Sequence, residues 1–72
     1  MLKNRLKDIR HDKRMNQTEF AAYLSITQHQ YNRYENNKQA PTLEGALLIS
    51  QRLSMPVEHI FYLDSNINAS EA

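Results

Sequence analysis

Two helix-start signals stand almost back to back in this chain: Asn16 followed by Glu19, and Thr27 followed by Gln30. Both have capping-box spacing, in which a short polar side chain takes an orphan amide of the first turn and a Glu or Gln three residues on reaches back. The first predicts a helix from about Gln17 to Leu24 with Phe20, Ala21 and Leu24 on its packed side. The second predicts a helix running to about Tyr34, with Tyr31 and Tyr34 turned to one side. Only Ser25 and Ile26 remain between them. Two helices so joined must meet at a sharp, nearly loopless corner, and the rest of the chain has to pack around that corner.

The rest is also punctuated for helices. With one glycine and two prolines in 72 residues, apolar side chains recur at three- and four-residue intervals, the spacing that stacks on one helical face. Leu2, Leu6 and Ile9 mark a first amphipathic helix to about Lys13. Asn36 and Asn37 stop the third helix, because Asn tolerates the left-handed conformation of a helix end. Ala40-Pro41-Thr42 resets the chain: the residue before proline is pushed out of helical geometry, and Thr42 caps the next helix. This fourth helix, Leu43 to about Leu53, is expected to bury Leu43, Ala46, Leu47, Ile49, Ser50 and Leu53. Leu48 and Gly45 fall off that stripe, and Gly45, costing about 1 kcal/mol relative to alanine, reads as tolerated rather than as a close backbone approach. Pro56 opens a short fifth helix, where a missing amide does no harm, with Val57, Ile60 and Phe61 inward. No segment alternates with the period of a strand, so the expected fold is all-α, a compact set of five helices. Residues 1–63 should form the domain and residues 64–72, polar and aperiodic, a flexible tail.

Size and composition exclude several functions. A chain of 72 residues holds one domain, and at this size folding buries only about 60% of the unfolded surface, which leaves little for the walls of a catalytic cleft. The absence of cysteine removes disulfides and thiolate metal sites, and the three histidines do not have zinc-site spacing. Paired carboxylates, a nucleophile with its base and a glycine-rich phosphate loop are all missing, so no catalytic residue, metal or cofactor is expected. No apolar run approaches the roughly 18 residues of a membrane helix, and the chain reads as soluble and cytoplasmic. Its net charge of +1 hides a division. Through Lys38 eight basic residues face four acidic ones, a balance of +4, whereas beyond it Arg52 alone faces four, a balance of −3. Such asymmetry hints at a charged partner for the first part.

Gln17 opens the second helix, Ala21 sits within it, Ser25 makes the turn, Thr27 caps the third helix, and Glu35, Asn36, Asn37 and Lys38 follow it ahead of Pro41. In this the stretch from Asn16 to Ile49 resembles the helix-turn-helix core of the phage-repressor family of Cro and C1 type, also called XRE-type. The resemblance covers about residues 4–63 and implies a lambda-repressor-like DNA-binding domain whose second and third helices form the motif. It gives Ala21 a reason to be small, because a larger side chain would overpack the crossing of the two helices. Two positions depart from the family: Ser25 and Asn37 stand where glycine is usual. Serine in a left-handed conformation costs on the order of 1 kcal/mol and Asn less. The resemblance also implies that Arg10 pairs with Glu35 in a structural role.

In such a motif the N-terminal part of the third helix meets base edges in the major groove. Gln28, His29, Asn32 and Arg33 project from the exposed side of that helix. Gln and Asn pair with adenine N6 and N7, and Arg with guanine O6 and N7, which makes these four the expected base contacts. Gln17, at a helix start whose free amides favour anions, is the expected phosphate contact, with Asn16, Thr27, Asn36 and Lys38. One module spans too few base pairs to single out a site, so a homodimer on a palindromic double-stranded operator is expected. Its interface is sought in the acidic part, at Leu48, Pro56, Val57 and Tyr62. The function implied is a sequence-specific transcriptional regulator, repressing by occupancy, in a prokaryotic cell or encoded by a phage or mobile element. A DNA-binding antitoxin or restriction-modification controller would share the motif, as would a protein-interaction module that binds no DNA. The polar, base-compatible residues of the third helix argue against the last. Nothing points to a small-molecule ligand or a membrane.

Overall fold

The computed structural model describes residues 2–64. A short strand β1 (Leu2–Asn4) leads into helices α1 (Leu6–Asp12), α2 (Gln17–Leu24), α3 (Gln28–Glu35), α4 (Leu43–Leu53) and α5 (Val57–Ile60), and the chain closes on strand β2 (Phe61–Leu63). The five expected helices are all present. The tail expected from residue 64 falls, beyond Asp64, outside the described residues.

The fold is all-α as expected, with one addition, a short two-stranded ribbon that no strand-like alternation announced. β1 and β2 pair antiparallel, with Leu2 opposite Leu63, Lys3 opposite Tyr62 and Asn4 opposite Phe61. Leu2 therefore does not belong to α1; it is 38% exposed in the ribbon. Asn4 sets the boundary: its Oδ1 accepts the Leu6 amide at 3.0 Å, and the Arg5 amide donates to the Ile60 carbonyl at 2.8 Å. Phe61 is buried as expected, but from a strand rather than from the fifth helix. Strands of three residues are too short to display a period of two, and here pairing between segments far apart in sequence overrides local pattern.

The core joins Leu6 and Ile9 of α1, Phe20, Ala21 and Leu24 of α2, Tyr31 and Tyr34 of α3, Ile49 and Leu53 of α4, and Ile60 and Phe61. Phe20 meets Tyr31 edge-on, ring centroids 5.3 Å apart, the arrangement that aromatic quadrupoles favour. The buried stripe of α4 is narrower than expected. Ile49 and Leu53 are buried and Ala46 and Ser50 half-buried, but Leu43 is 76% and Leu47 48% exposed. The contacts of α4 with α2 and α5 bury the edge that carries Ile49 and Leu53, with Ala46 packed against it. A Cβ on Gly45 would meet the Thr42 hydroxyl at 3.3 Å and Pro41 Cβ at 3.5 Å. These are side chains of its own cap, so no other backbone requires this glycine.

The first four helices end alike. Arg14, Ser25, Asn37 and Ser54 each have φ between 54° and 64°. After each, the next amide reaches back to a carbonyl five residues earlier: Met15 to Arg10, Ile26 to Ala21, Lys38 to Arg33 and Met55 to Ser50, at 2.9–3.2 Å. This is the Schellman closure, which normally carries glycine at the left-handed position. Ser25 and Asn37 are legible in the sequence as departures; Arg14 and Ser54 are not. Ser25→Gly is expected to stabilise the domain by about 1 kcal/mol, raising the melting temperature by about 4–8 °C in calorimetry.

Candidate nucleic-acid interface

The corner between α2 and α3 is built from two caps and one closure. Asn16 makes the full capping box: its Oδ1 accepts the Glu19 amide at 2.8 Å, and Glu19 Oε1 accepts the Asn16 amide at 2.9 Å. Thr27 Oγ1 accepts the Gln30 amide at 3.0 Å. The second box is only half made, because the Gln30 side-chain amide donates instead to the Tyr34 hydroxyl at 2.7 Å. Between the caps, Ser25 turns the chain with φ 64° and Ile26 packs against the core. Ala21, 2% exposed, lies inside the corner, where its small side chain lets the helices cross.

Beneath the exposed face lies a network centred on Glu35. Arg10 donates from Nε to Glu35 Oε2 at 2.9 Å and from Nη2 to Oε1 at 3.4 Å, with Nη1 on the Met15 carbonyl at 3.1 Å. The Tyr31 hydroxyl donates to Oε2 at 2.5 Å and the Gln17 side-chain amide to Oε1 at 2.8 Å. Arg10 and Glu35 side chains are 13% and 4% exposed. The pair inferred from family resemblance is thus formed, and it ties the end of α3 to α1 and to the start of α2. Burial pushes the Glu35 carboxyl up, but hydrogen bonds from Arg10, Tyr31 and Gln17 outweigh it and hold it below the usual carboxylate range. Burial, then the neighbouring Glu35 carboxylate, pushes the Tyr31 hydroxyl well above its ordinary value. The Glu35 hydrogen bond raises the Arg10 guanidinium further.

A depressed folded-state carboxyl stabilises the fold above its unfolded pKa and stops doing so as pH falls through the folded one. Acid melting should therefore set in as pH drops below 4.5, the ordinary carboxylate value. Glu35→Gln should flatten that dependence while lowering stability at neutral pH, as read by thermal melts across a pH series.

The predicted DNA-facing residues divide into two groups. Gln28, His29 and Arg33 are exposed on α3. Thr18 of α2 donates its hydroxyl to Gln28 Oε1 at 2.9 Å, and Arg33 donates from Nε to Gln39 Oε1 at 3.0 Å. Asn32 is half-buried and donates to Gln17 Oε1 at 3.2 Å. Gln17 thus bridges Asn32 and Glu35, and its side chain is a strut between the helices. Its backbone amide remains in the open first turn of α2, next to the exposed cap Asn16, and Thr27, the cap of α3, is exposed as well. Asn36 and Lys38 are exposed where the chain leaves α3. On the neighbouring surface the Lys13 ammonium lies 5.1 Å over the Tyr23 ring.

Of the residues considered for pairing, Leu48 is 54% exposed, Pro56 is exposed and Val57 is half-buried against the core. Tyr62, 37% exposed, lies beneath the Arg5 guanidinium at 4.4 Å. Three contributors lie outside the expectations from sequence: Thr18, Asn4, which donates to the Tyr34 carbonyl at 2.9 Å, and the Tyr31 hydroxyl. Only the last has a local signal, its place one helical turn before Glu35.

Two capped helices meeting at a left-handed residue, with a polar third helix facing solvent, define a helix-turn-helix protein. A family model described as helix-turn-helix matches residues 6–60, and the chain belongs to that family, the Cro/C1-type or XRE family. Its role is accordingly that of a DNA-binding transcription regulator. Comparison with curated proteins finds no match. Among the described residues no helix is long and apolar enough to cross a membrane.

Proposed function

We propose that the protein is a sequence-specific repressor that inserts α3 into the major groove of a palindromic operator as a homodimer. The observation that carries this reading is the state of Gln28: exposed at the start of α3 and oriented by the Thr18 hydroxyl at 2.9 Å. An amide oxygen has a second lone pair, so Gln28 retains both a donor and an acceptor for an adenine edge. His29 and Arg33 extend the base-reading face. Asn32, held by Gln17, contributes its free amide oxygen. Phosphates are taken by the open first turn of α2 at Gln17, by Asn16 and Thr27, and by Asn36 and Lys38 as the chain leaves the groove. Leu48, with Pro56, Val57 and Tyr62, supplies the pairing surface.

Selection from random duplex DNA tests the whole reading. Enriched sequences should carry two inverted half-sites with centres about 34 Å apart; no enrichment over input would overturn it. Lys38→Ala should weaken binding to all sequences alike and reduce the slope of log K against log salt by about 1, measured by fluorescence anisotropy over a salt series.

A further inference from the structure

We infer that α4 is the pairing helix, packing against the α4 of a second copy across a two-fold axis through Leu48. The inference rests on the homodimer reading above and gives it a definite surface. Glu44, Leu48 and Arg52 follow one another at four-residue intervals and so share one face of α4. All three are exposed. Neither Glu44 nor Arg52 has an ion-pair partner among the described residues.

Their order along the helix selects the geometry. Glu44 and Arg52 lie about 12 Å apart along the axis, at 1.5 Å per residue, with Leu48 midway. An antiparallel copy centred on Leu48 sets Glu44 against the partner's Arg52, and Arg52 against the partner's Glu44. A parallel copy would oppose like charges. The same face is therefore self-complementary in the antiparallel sense, the condition for an isologous dimer.

Leu43 and Leu47, 76% and 48% exposed, widen the apolar strip on one flank. On the other, a groove of about 260 Å³ opens beside Leu48, walled by Leu24, Ile26, Ile49 and Arg52, and can receive apolar side chains of the partner. Three leucines and one groove fall short of the roughly 800 Å² per partner of a standing dimer. The free protein should therefore associate weakly, and operator DNA should complete the dimer by holding two copies in place.

Charge exchange tests the axis directly. By sedimentation velocity, with and without the selected operator, E44R and R52E should each weaken association about tenfold, the combined effect of two symmetry-related pairs. The double variant E44R/R52E should recover to within about threefold of the parent, because both pairs reform with signs exchanged. If the double variant is as weak as the singles or weaker, the proposed pairing is wrong. The chain has no cysteine, so L48C offers a second readout that leaves the charges alone. A short bis-maleimide should link two copies of L48C, but not of D8C, which places the thiol on the exposed side of α1. Equal linking of the two would also overturn the inference. A parent protein that stays monomeric on and off the operator would instead remove the homodimer itself. Dimers indifferent to both sets of variants would leave the homodimer standing and place it elsewhere.

Discussion

Arg10→Met is expected to lower the melting temperature by about 12 °C or more. The guanidinium holds both Glu35 oxygens and the Met15 carbonyl. Without it, Glu35 keeps Tyr31 and Gln17 as donors but has no countercharge, at a side chain only 4% exposed. Leaving one charge of a buried pair uncompensated costs about 3–5 kcal/mol. Small domains are stable by roughly 0.05–0.15 kcal/mol per residue, so a large part of the total is at stake. Each kcal/mol moves the midpoint of a domain this size by about 4–8 °C. Circular dichroism melts of Arg10→Met and of the double variant R10M/E35Q decide the cause. If the uncompensated charge is responsible, the double variant recovers much of the loss, because a neutral Gln still accepts from Tyr31. If lost packing is responsible, both variants melt alike.

Gln28→Ala should weaken operator binding by about 1–3 kcal/mol and relax preference at one base pair in each half-site. The substitution removes an exposed side chain that packs on nothing in the core, so the folded domain should melt within about 0.5 kcal/mol of the parent. Thr18→Ala should act at the same base pair and less strongly, since it frees the Gln28 carboxamide to rotate without removing it. Selection from random DNA with all three proteins is the appropriate measurement. An unchanged preference with Gln28→Ala would remove Gln28 from the base-reading face, whatever happened to affinity.

The helices are legible in the sequence because their caps are local chemistry. Asn16, Thr27 and Thr42 announce α2, α3 and α4 to the residue, and each side chain accepts the amide three residues on. The ribbon is not legible, because Leu2 and Leu63 are brought together by the fold and not by any nearby pattern. For the same reason Leu43 and Leu47 are expected inside and found outside: helical period gives the direction of a face, while the width of the buried stripe depends on what packs against it. At the site, the exposure of Gln28, His29 and Arg33 is set by position on α3. The diversion of Gln17 and Asn32 into the Glu35 network is not, since Gln and Asn read alike whether they face a base or one another. Arg10 and Glu35 are found through family resemblance; twenty-five residues of separation hide the pair from any local reading.

The four glycine-free Schellman closures bear on how long the protein lasts. At about 1 kcal/mol each for serine or arginine and less for Asn, they remove a few kcal/mol from a domain with only several to spare. Binding to DNA withdraws the folded domain from its unfolding equilibrium. Proteolysis then acts chiefly on the unbound fraction. On the operator reading proposed above, a protease should therefore degrade the free protein faster than the DNA-bound one, as read by limited proteolysis with and without DNA.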